Sequence, residues 1–511
     1  MSLPTPGTPI IIDIGSAYVK VGFAGEINPR FIFPCITGTE KYHSVMVDVD
    51  ARNVYVGQDA MKMRGVLKIA HPIQRGAIVD WDSYYQILNH ILYTLLRIQN
   101  PLDYPIIYIE NTFQPKDIKE YIARVFFETH QINNLIMVPS PILSCFSVGL
   151  TSGLVIESGD GITWIVPIIN GQIISQAVQR LNLAGMDVSN NLKALLMREG
   201  INISSSAVDE IIKEIKEKNC YFILDPDKPS KGGENIMYPM PDGSTVKIPD
   251  HILYSATEVL FQPSMIGSNS PGIQHAIITC LQNVSQEYWA DLLSHVVLSG
   301  GNLSHSGFEE RLKAELTILL PQYGISFKPK KIEKKKEEKL ETLKPIEGTK
   351  KNQDTCSQCG ALIDLADGKT NCPQCGANMK IPEIKIEIDQ SGTNTELKCS
   401  KCKKEISDND SLFCPYCGNN LKITSPAIPI KEIENAKKKT SETIGFSEYT
   451  DSSKSGIRFF IPNNLQLAVY NGATILGSLP SFRNLFVTKE QFEINKEILH
   501  TDISQIFANY Q

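Results

Sequence analysis

PIIIDIGSAYVKVGFAGE (residues 9–26) and GLVIESGDGITWIVPIING (residues 153–171) follow one plan: an apolar strand, an acid, a glycine within two residues, a tight turn and a second alternating strand. A carboxylate at the end of a buried strand stays ionised only where a positive charge or hydrogen-bond donors meet it. Glycine admits positive φ and lets the backbone approach a ligand closely. Two such hairpins read as an internal repeat whose copies face each other across a cleft, each contributing an acid and turn amides. Asp13, Gly15, Ser16 and Lys20 supply one side: a carboxylate for a hydrated divalent cation, amides and a hydroxyl for phosphate oxygens, and an ammonium for the outer phosphates. Glu157, Gly159, Asp160 and Gly161 supply the other. Hard oxygen ligands with water suit Mg2+ or Ca2+ rather than zinc. The chain has no GxxxxGK[ST] motif, so this is not a P-loop.

A third glycine turn, Ser299-Gly300-Gly301, ends the apolar stretch of HVVLSGGNLSHSGFEERLKAEL (295–316), and an amphipathic helix is expected from about Gly307, its N-terminus pointing over that turn. Apolar residues at helical spacing predict helices over Ser83–Arg97 and Lys116–His130. Strands alternating with helices indicate an α/β architecture with mixed sheets. Leu135–Ile156 carries no charge and is long enough to span a bilayer, but Pro139, Pro141, its serines and threonines and the acid at Glu157 fit a buried strand, helix and strand instead.

With 511 residues the chain exceeds what one core usually serves. Its net charge of −6 provides no global attraction to nucleic acid or anionic membrane. MSLPTPGTP has neither a basic nor an apolar leader region, so a cytoplasmic location is expected, with no membrane partner. From Lys328 to Lys351 there are ten Lys and five Glu without apolar periodicity, and the tract 431–454 is again polar. Residues 328–455 therefore read as an insertion into an otherwise continuous fold.

Eight of the twelve cysteines lie within that insertion as CxxC pairs. Cys356, Cys359, Cys372 and Cys375 have CxxC-x12-CxxC spacing, and Cys399, Cys402, Cys414 and Cys417 have CxxC-x11-CxxC spacing. Each pair makes a knuckle, and two knuckles complete a tetrahedral site of four thiolates, so two Zn2+ ions are expected, in ribbons at 356–376 and 399–418. Exchange of ligands between the ribbons stays open. So little apolar content separates the knuckles that metal binding itself would drive folding, by roughly 10 to 16 kcal/mol per structural zinc. The four isolated cysteines, Cys35, Cys145, Cys220 and Cys280, read as small buried hydrophobes.

DIGSAYVKVGFAGEINPRFIFP resembles the opening of actin and actin-related proteins, and SGDGITWIVPIINGQ, RLNLAG, FQPSMIG, HVVLSGG and NGATILGSL resemble actin segments in the same order. The resemblance covers 9 to about 322 and 457 to about 500, and the cysteine tandem resembles a double zinc ribbon. It implies a two-lobed fold with a duplicated RNase H-like core that binds ATP and a divalent ion in the central cleft. One lobe is expected from 1–146 with 456–511, the other from 147–328, and the insertion from 329–455. The implied ligand residues are Asp13 (Mg2+ through water), Gly15, Ser16 and Lys20, then Glu157, Gly159, Asp160 and Gly161, then Gly185, Lys216 and Glu217, and finally Gly300, Gly301 and Asn302.

The departures from the family pattern bear on chemistry. Glu157 stands where the family has Asp, Ser140 where it has the Gln that orients the attacking water, and Trp164 where it has His. A short hydroxyl does not fill the role of Gln unaided, and an indole does not titrate near neutrality. Phosphoryl transfer to water depends on positioning and charge stabilisation, so weak or absent ATP hydrolysis is expected. Gln466 and His305 replace a Lys and an aromatic near the base.

The resemblance implies a cytoskeletal filament subunit or filament-associated factor: Thr39–Val54 keeps the length of the family's intersubunit loop, 264–273 its plug, and Phe146, Leu476 and Leu479 resemble residues of its apolar partner cleft, although core packing explains those three equally. The alternative is a non-polymerising, nucleotide-dependent adaptor or a chromatin-type relative whose ribbons bind protein or, less favoured, nucleic acid.

Overall fold

A computed structural model describes residues 3–41, 54–203, 207–226, 235–240, 243–325 and 456–500, with the short strands 353–355, 362–364, 397–398, 405–406 and 446–449. The chain divides into two compact units, Met1–Lys330 with Thr424–Gln511, and Lys331–Ile423.

The larger unit is built on two sheets with the same beginning. In the first, Ile10–Ile14 pairs antiparallel with Tyr18–Phe23, and lies parallel to Ile106–Glu110, which lies parallel to Asn134–Pro139. In the second, Gly153–Ser158 pairs antiparallel with Thr163–Ile169, and lies parallel to Val296–Ser299, which lies parallel to Phe459–Pro462. A hairpin followed by two parallel neighbours thus occurs twice, as the repeated sequence plan requires. Buried on both faces, the parallel strands are near-continuous apolar runs such as Ile106–Glu110 and Val296–Ser299.

Two boundaries differ from the sequence reading. Phe459–Pro462, expected in the first lobe, hydrogen-bonds to the second sheet, because its Phe459 and Phe460 are buried against that sheet's apolar face. Phe446–Tyr449, expected within the insertion, is the edge strand beside it. The charge-free stretch from Leu135 is a strand, a helix (Ser140–Ser147) and a second strand, and among the described residues no helix is long and apolar enough to cross a membrane. The two expected amphipathic helices are Trp81–Asn89 and Lys116–Arg124, each continued by a wider π-helical segment, His90–Leu95 and Val125–Thr129. Cys35, Cys145, Cys220 and Cys280 are free and buried, and burial raises each thiol's pKa.

Each sheet has its own apolar core, centred on residues such as Tyr84 and Phe126 in the first and Leu192 and Phe308 in the second. A third core joins them, made of Ile107, Val138, Val155, Val297 and Tyr470. Within it the helices Ser140–Ser147 and Ala468–Gly477 pack closely, and every residue of both is buried. That approach requires a glycine: a Cβ on Gly472 would collide with the Leu143 carbonyl. Phe146, Leu476 and Leu479, for which a partner cleft and core packing both stood open, are 2%, 0% and 3% exposed, so core packing is what they do here.

In the smaller unit, Gln353–Thr355 pairs with Leu362–Asp364, and Leu397–Lys398 with Glu405–Ile406. Cys356 and Cys359 fall in the connection of the first pair, and Cys399 and Cys402 in that of the second. All eight paired cysteines lie outside the described residues.

Gly472→Ala is expected to lower the stability of the larger unit by about 1–3 kcal/mol through overpacking. Gly65→Ala, where a Cβ meets nothing within 4 Å, serves as the neutral control. Chemical denaturation of both variants checks the difference.

Candidate functional site

The repeat places its two acids at one register. Asp13 is the cross-strand partner of Lys20, and Glu157 is the cross-strand partner of Trp164. The first pair closes as an ion pair, Lys20 Nζ to Asp13 Oδ2 at 2.8 Å, with both side chains largely buried. The second has no cation at that register. Glu157 instead accepts hydrogen bonds from Ser140 Oγ (2.7 Å) and Ser144 Oγ (3.1 Å), one helical turn apart. Burial pushes the Glu157 carboxyl up to about 6; the two hydroxyls oppose that rise, Asp13 adds to it and Lys20 opposes it.

The three glycine turns meet at one pocket. Its lining includes Asp13, Gly15, Ser16 and Lys20 from the first hairpin, and Glu157, Gly159, Asp160 and Gly161 from the second. Gly300, Gly301 and Asn302 line it from the third turn, and Ser140, Gly185, Lys216 and Glu217 from neighbouring helices. His305 and Gln466 are there as well. Contacts explain the glycines: a Cβ on Gly161 would lie 2.5 Å from Ser16 Oγ, and one on Gly300, whose φ is +93°, would strike the Ser158 carbonyl. Gly185 opens a helix whose first amides donate to the second turn, Gly185 N to Gly159 O (3.0 Å) and Met186 N to Asp160 O (2.8 Å).

Lys216 is 4% exposed, so it is not part of an open helical face. Its ammonium donates to Gly185 O at 3.0 Å and lies 3.8 Å from Asp160 Oδ1. Burial lowers its pKa while Asp160 and Glu217 hold it up. His305 is pushed down to about 4, mainly by burial and then by Lys216, so a neutral imidazole faces the pocket. Asn302 Nδ2 donates to Ser158 Oγ (2.9 Å), tying the third turn to the second hairpin.

One residue lies away from its expected place. Trp164 does not line the pocket: its ring is buried in the core between the sheets, 6.2 Å from Phe113, with the Arg180 guanidinium 5.9 Å from its centre. Its indole N–H is buried and has no protein partner among the described residues. The helix after the third turn is Phe308–Gln322; Gly301–Leu303 forms a separate short turn before it, and the cap residue Gly307 abuts the Phe222 carbonyl.

Two further lining residues, Tyr18 and Lys213, and two residues that hold the lining from behind, Ser144 and Arg75, escaped sequence reading. Tyr18 and Lys213 meet across the cleft, with Nζ 3.8 Å from the ring centre. Burial, with Glu217 and Asp160, pushes the Tyr18 phenol up to about 12. Ser144 was detectable only as a hydroxyl four residues beyond Ser140. Arg75 was signalled weakly by the Arg-Gly pair between two short strands.

Among the described residues no three His, Cys, Asp or Glu side chains converge as a metal cage. A cation beside Asp13 would therefore take few protein oxygens and fill its shell with water and ligand oxygens, which fits Mg2+.

In ligand-free, metal-free protein the raised Glu157 pKa has a signed consequence. A carboxyl with a folded pKa near 6 contributes stability that is full below about 4.5 and is lost as pH rises through 6. Glu157→Gln is expected to gain about 2 kcal/mol relative to the parent between those pH values, with no further gain above them. Paired denaturation curves from pH 4.5 to 7.5 check the slope.

A family model described as actin matches residues 5–341, and one described as a double zinc ribbon matches 349–418.

Proposed function

Because the chain belongs to the actin family and carries a double zinc ribbon, we propose that its cleft holds ATP with Mg2+ and hydrolyses it very slowly or not at all. We propose further that the molecule acts as a filament subunit or filament-associated factor, with the ribbons recruiting a protein partner. One observation carries the nucleotide reading: three glycine turns, two of them from the copies of the repeat, and three lysines, Lys20, Lys213 and Lys216, line a single pocket. Turn amides and Ser16 would take the phosphate oxygens, Lys20 the outer phosphates, and Asp13 the water shell of the cation. A bound cation would neutralise phosphate charge and orient the outer phosphate. Lys216 and Glu217 would flank the nucleoside, with Gln466 over Gly301.

Weak hydrolysis is supported by how the chain's own groups are committed. Ser140, at the family's water-orienting position, spends its proton on Glu157. Trp164 is in the core. Glu157 is the remaining carboxyl near the expected water, and its hydrogen bonds to two serines hold it in place.

Self-association is supported by Met265 and Ile266, which stay 47% and 39% exposed at the turn Pro263–Ile266, within the segment that resembles the family plug. The zinc reading rests on the spacing of the eight cysteines and on the paired strands that flank the first CxxC of each ribbon.

Titration calorimetry with ATP and Mg2+ is expected to give saturable heat, and Gly161→Val, whose side chain would enter the space of Ser16, should weaken binding at least tenfold, about 1.4 kcal/mol. Absence of heat with any purine triphosphate overturns the reading. Single-turnover assays should release phosphate well below the rate of ordinary actin. Elemental analysis should find two zinc ions per chain, and sedimentation with ATP and Mg2+ should yield polymer; a species that stays small at high concentration favours the adaptor reading.

A further inference from the structure

Arg75 lies in a tight turn between the short strands Ile73–Gln74 and Ala77–Ile78, with φ of +48° followed by +74° at Gly76. Successive positive φ values suit Gly or Asn, so an arginine there is held by what its side chain does. Its guanidinium makes a two-pronged ion pair with Asp187, Nη1 to Oδ2 at 2.6 Å and Nη2 to Oδ1 at 2.7 Å, and Nη1 also donates to the Gly161 carbonyl at 3.2 Å.

The partners belong to different halves. Ile73, next but one to Arg75, is buried in the core of the first sheet. Val188, next to Asp187, is buried in the core of the second. Asp187 also accepts from the Ala184 amide (2.8 Å), at the start of the helix whose first amides hold Gly159 and Asp160. Arg75, Asp187, the helix start and the turn 159–161 thus form one closed network, and Arg180 Nη2 donates to the Arg75 carbonyl (3.2 Å) behind it.

Besides the Arg180 contact and the buried joint made by the helix Ser140–Ser147, two contacts of charged side chains cross between the halves. Arg64 and Glu210 are 3.9 Å apart and partly exposed, a geometry worth little. Lys213 lies over Tyr18. The Arg75 pair is the shortest of the three, is bidentate, and its acid is 10% exposed.

We infer that Arg75 is a positioning residue that clamps the halves together, holding the turn 159–161 in its ligand-binding shape and slowing release of the bound nucleoside triphosphate. The inference rests on the nucleotide reading, since the clamped turn lines that pocket. Its fork is specific to arginine; lysine keeps the charge and loses the second prong.

The test uses full-length, zinc-loaded protein. Calorimetry of the parent with ATP first decides the nucleotide reading by itself. Release of a fluorescent ATP analogue, chased with excess ATP, is then expected to be at least tenfold faster in Arg75→Ala and intermediate in Arg75→Lys. Asp187→Asn should add little once Arg75 is gone. In nucleotide-free protein, amide hydrogen exchange at 161–163 and 184–188 should accelerate in Arg75→Ala and be largely restored in Arg75→Lys, a readout that does not depend on ATP. Unchanged exchange, release within twofold of the parent from folded Arg75→Ala, or strictly additive effects of the two substitutions would overturn the clamp.

Discussion

A carboxylate buried at the end of a strand must find a cation or donors, and the two copies of the repeat meet that requirement differently. In the first hairpin Lys20 stands opposite Asp13 and closes on it at 2.8 Å. In the second the same register holds Trp164, and the helix Ser140–Ser147 supplies two hydroxyls instead. Hydroxyls compensate a buried charge less fully than an ammonium, and Glu157 accordingly has a raised pKa. The asymmetry separates a side with a free-standing ion pair, suited to phosphate and cation, from one whose carboxyl is bound up in protein hydrogen bonds.

That helix is also a structural joint. It is buried throughout, packs on Ala468–Gly477 through Gly472, and sits in the core shared by both sheets. Ser140, which holds Glu157, is therefore carried on the element that connects the halves. On the other side of the pocket the connection is polar, through Arg75 and Asp187. Apolar packing resists separation without direction, whereas a forked ion pair specifies one geometry and breaks in one step. The halves are thus joined by apolar packing on one side and by a forked ion pair on the other.

Much of this was legible in the chain. The duplicated hairpin, the acids, the glycine turns and the zinc spacing depend on local residue type and short intervals, and the hairpins and turns reappear in the fold at the expected positions. The strand–helix–strand nature of the charge-free stretch followed from its prolines and its terminal acid. Apolar character alone left cleft and core undecided. Phe146, Leu476 and Leu479 carry the same signal whether they line a groove or fill a core, and only the facing helices decide. Trp164 had the right register for the site, but its bulk favoured the space between the sheets.

The sequence by itself determined the repeated strand-turn-strand plan, the residue types able to meet a polyphosphate and a hydrated cation, and the eight-thiolate pattern of the ribbons, because each is a matter of chemistry at short spacing. Only the tertiary structure decided that Ser140 and Ser144 answer Glu157, that Lys216 is buried under Gly185, and that Arg75 reaches Asp187 across 112 positions of chain. Those partners are set by which surfaces the two cores bring together, and no local interval encodes that choice.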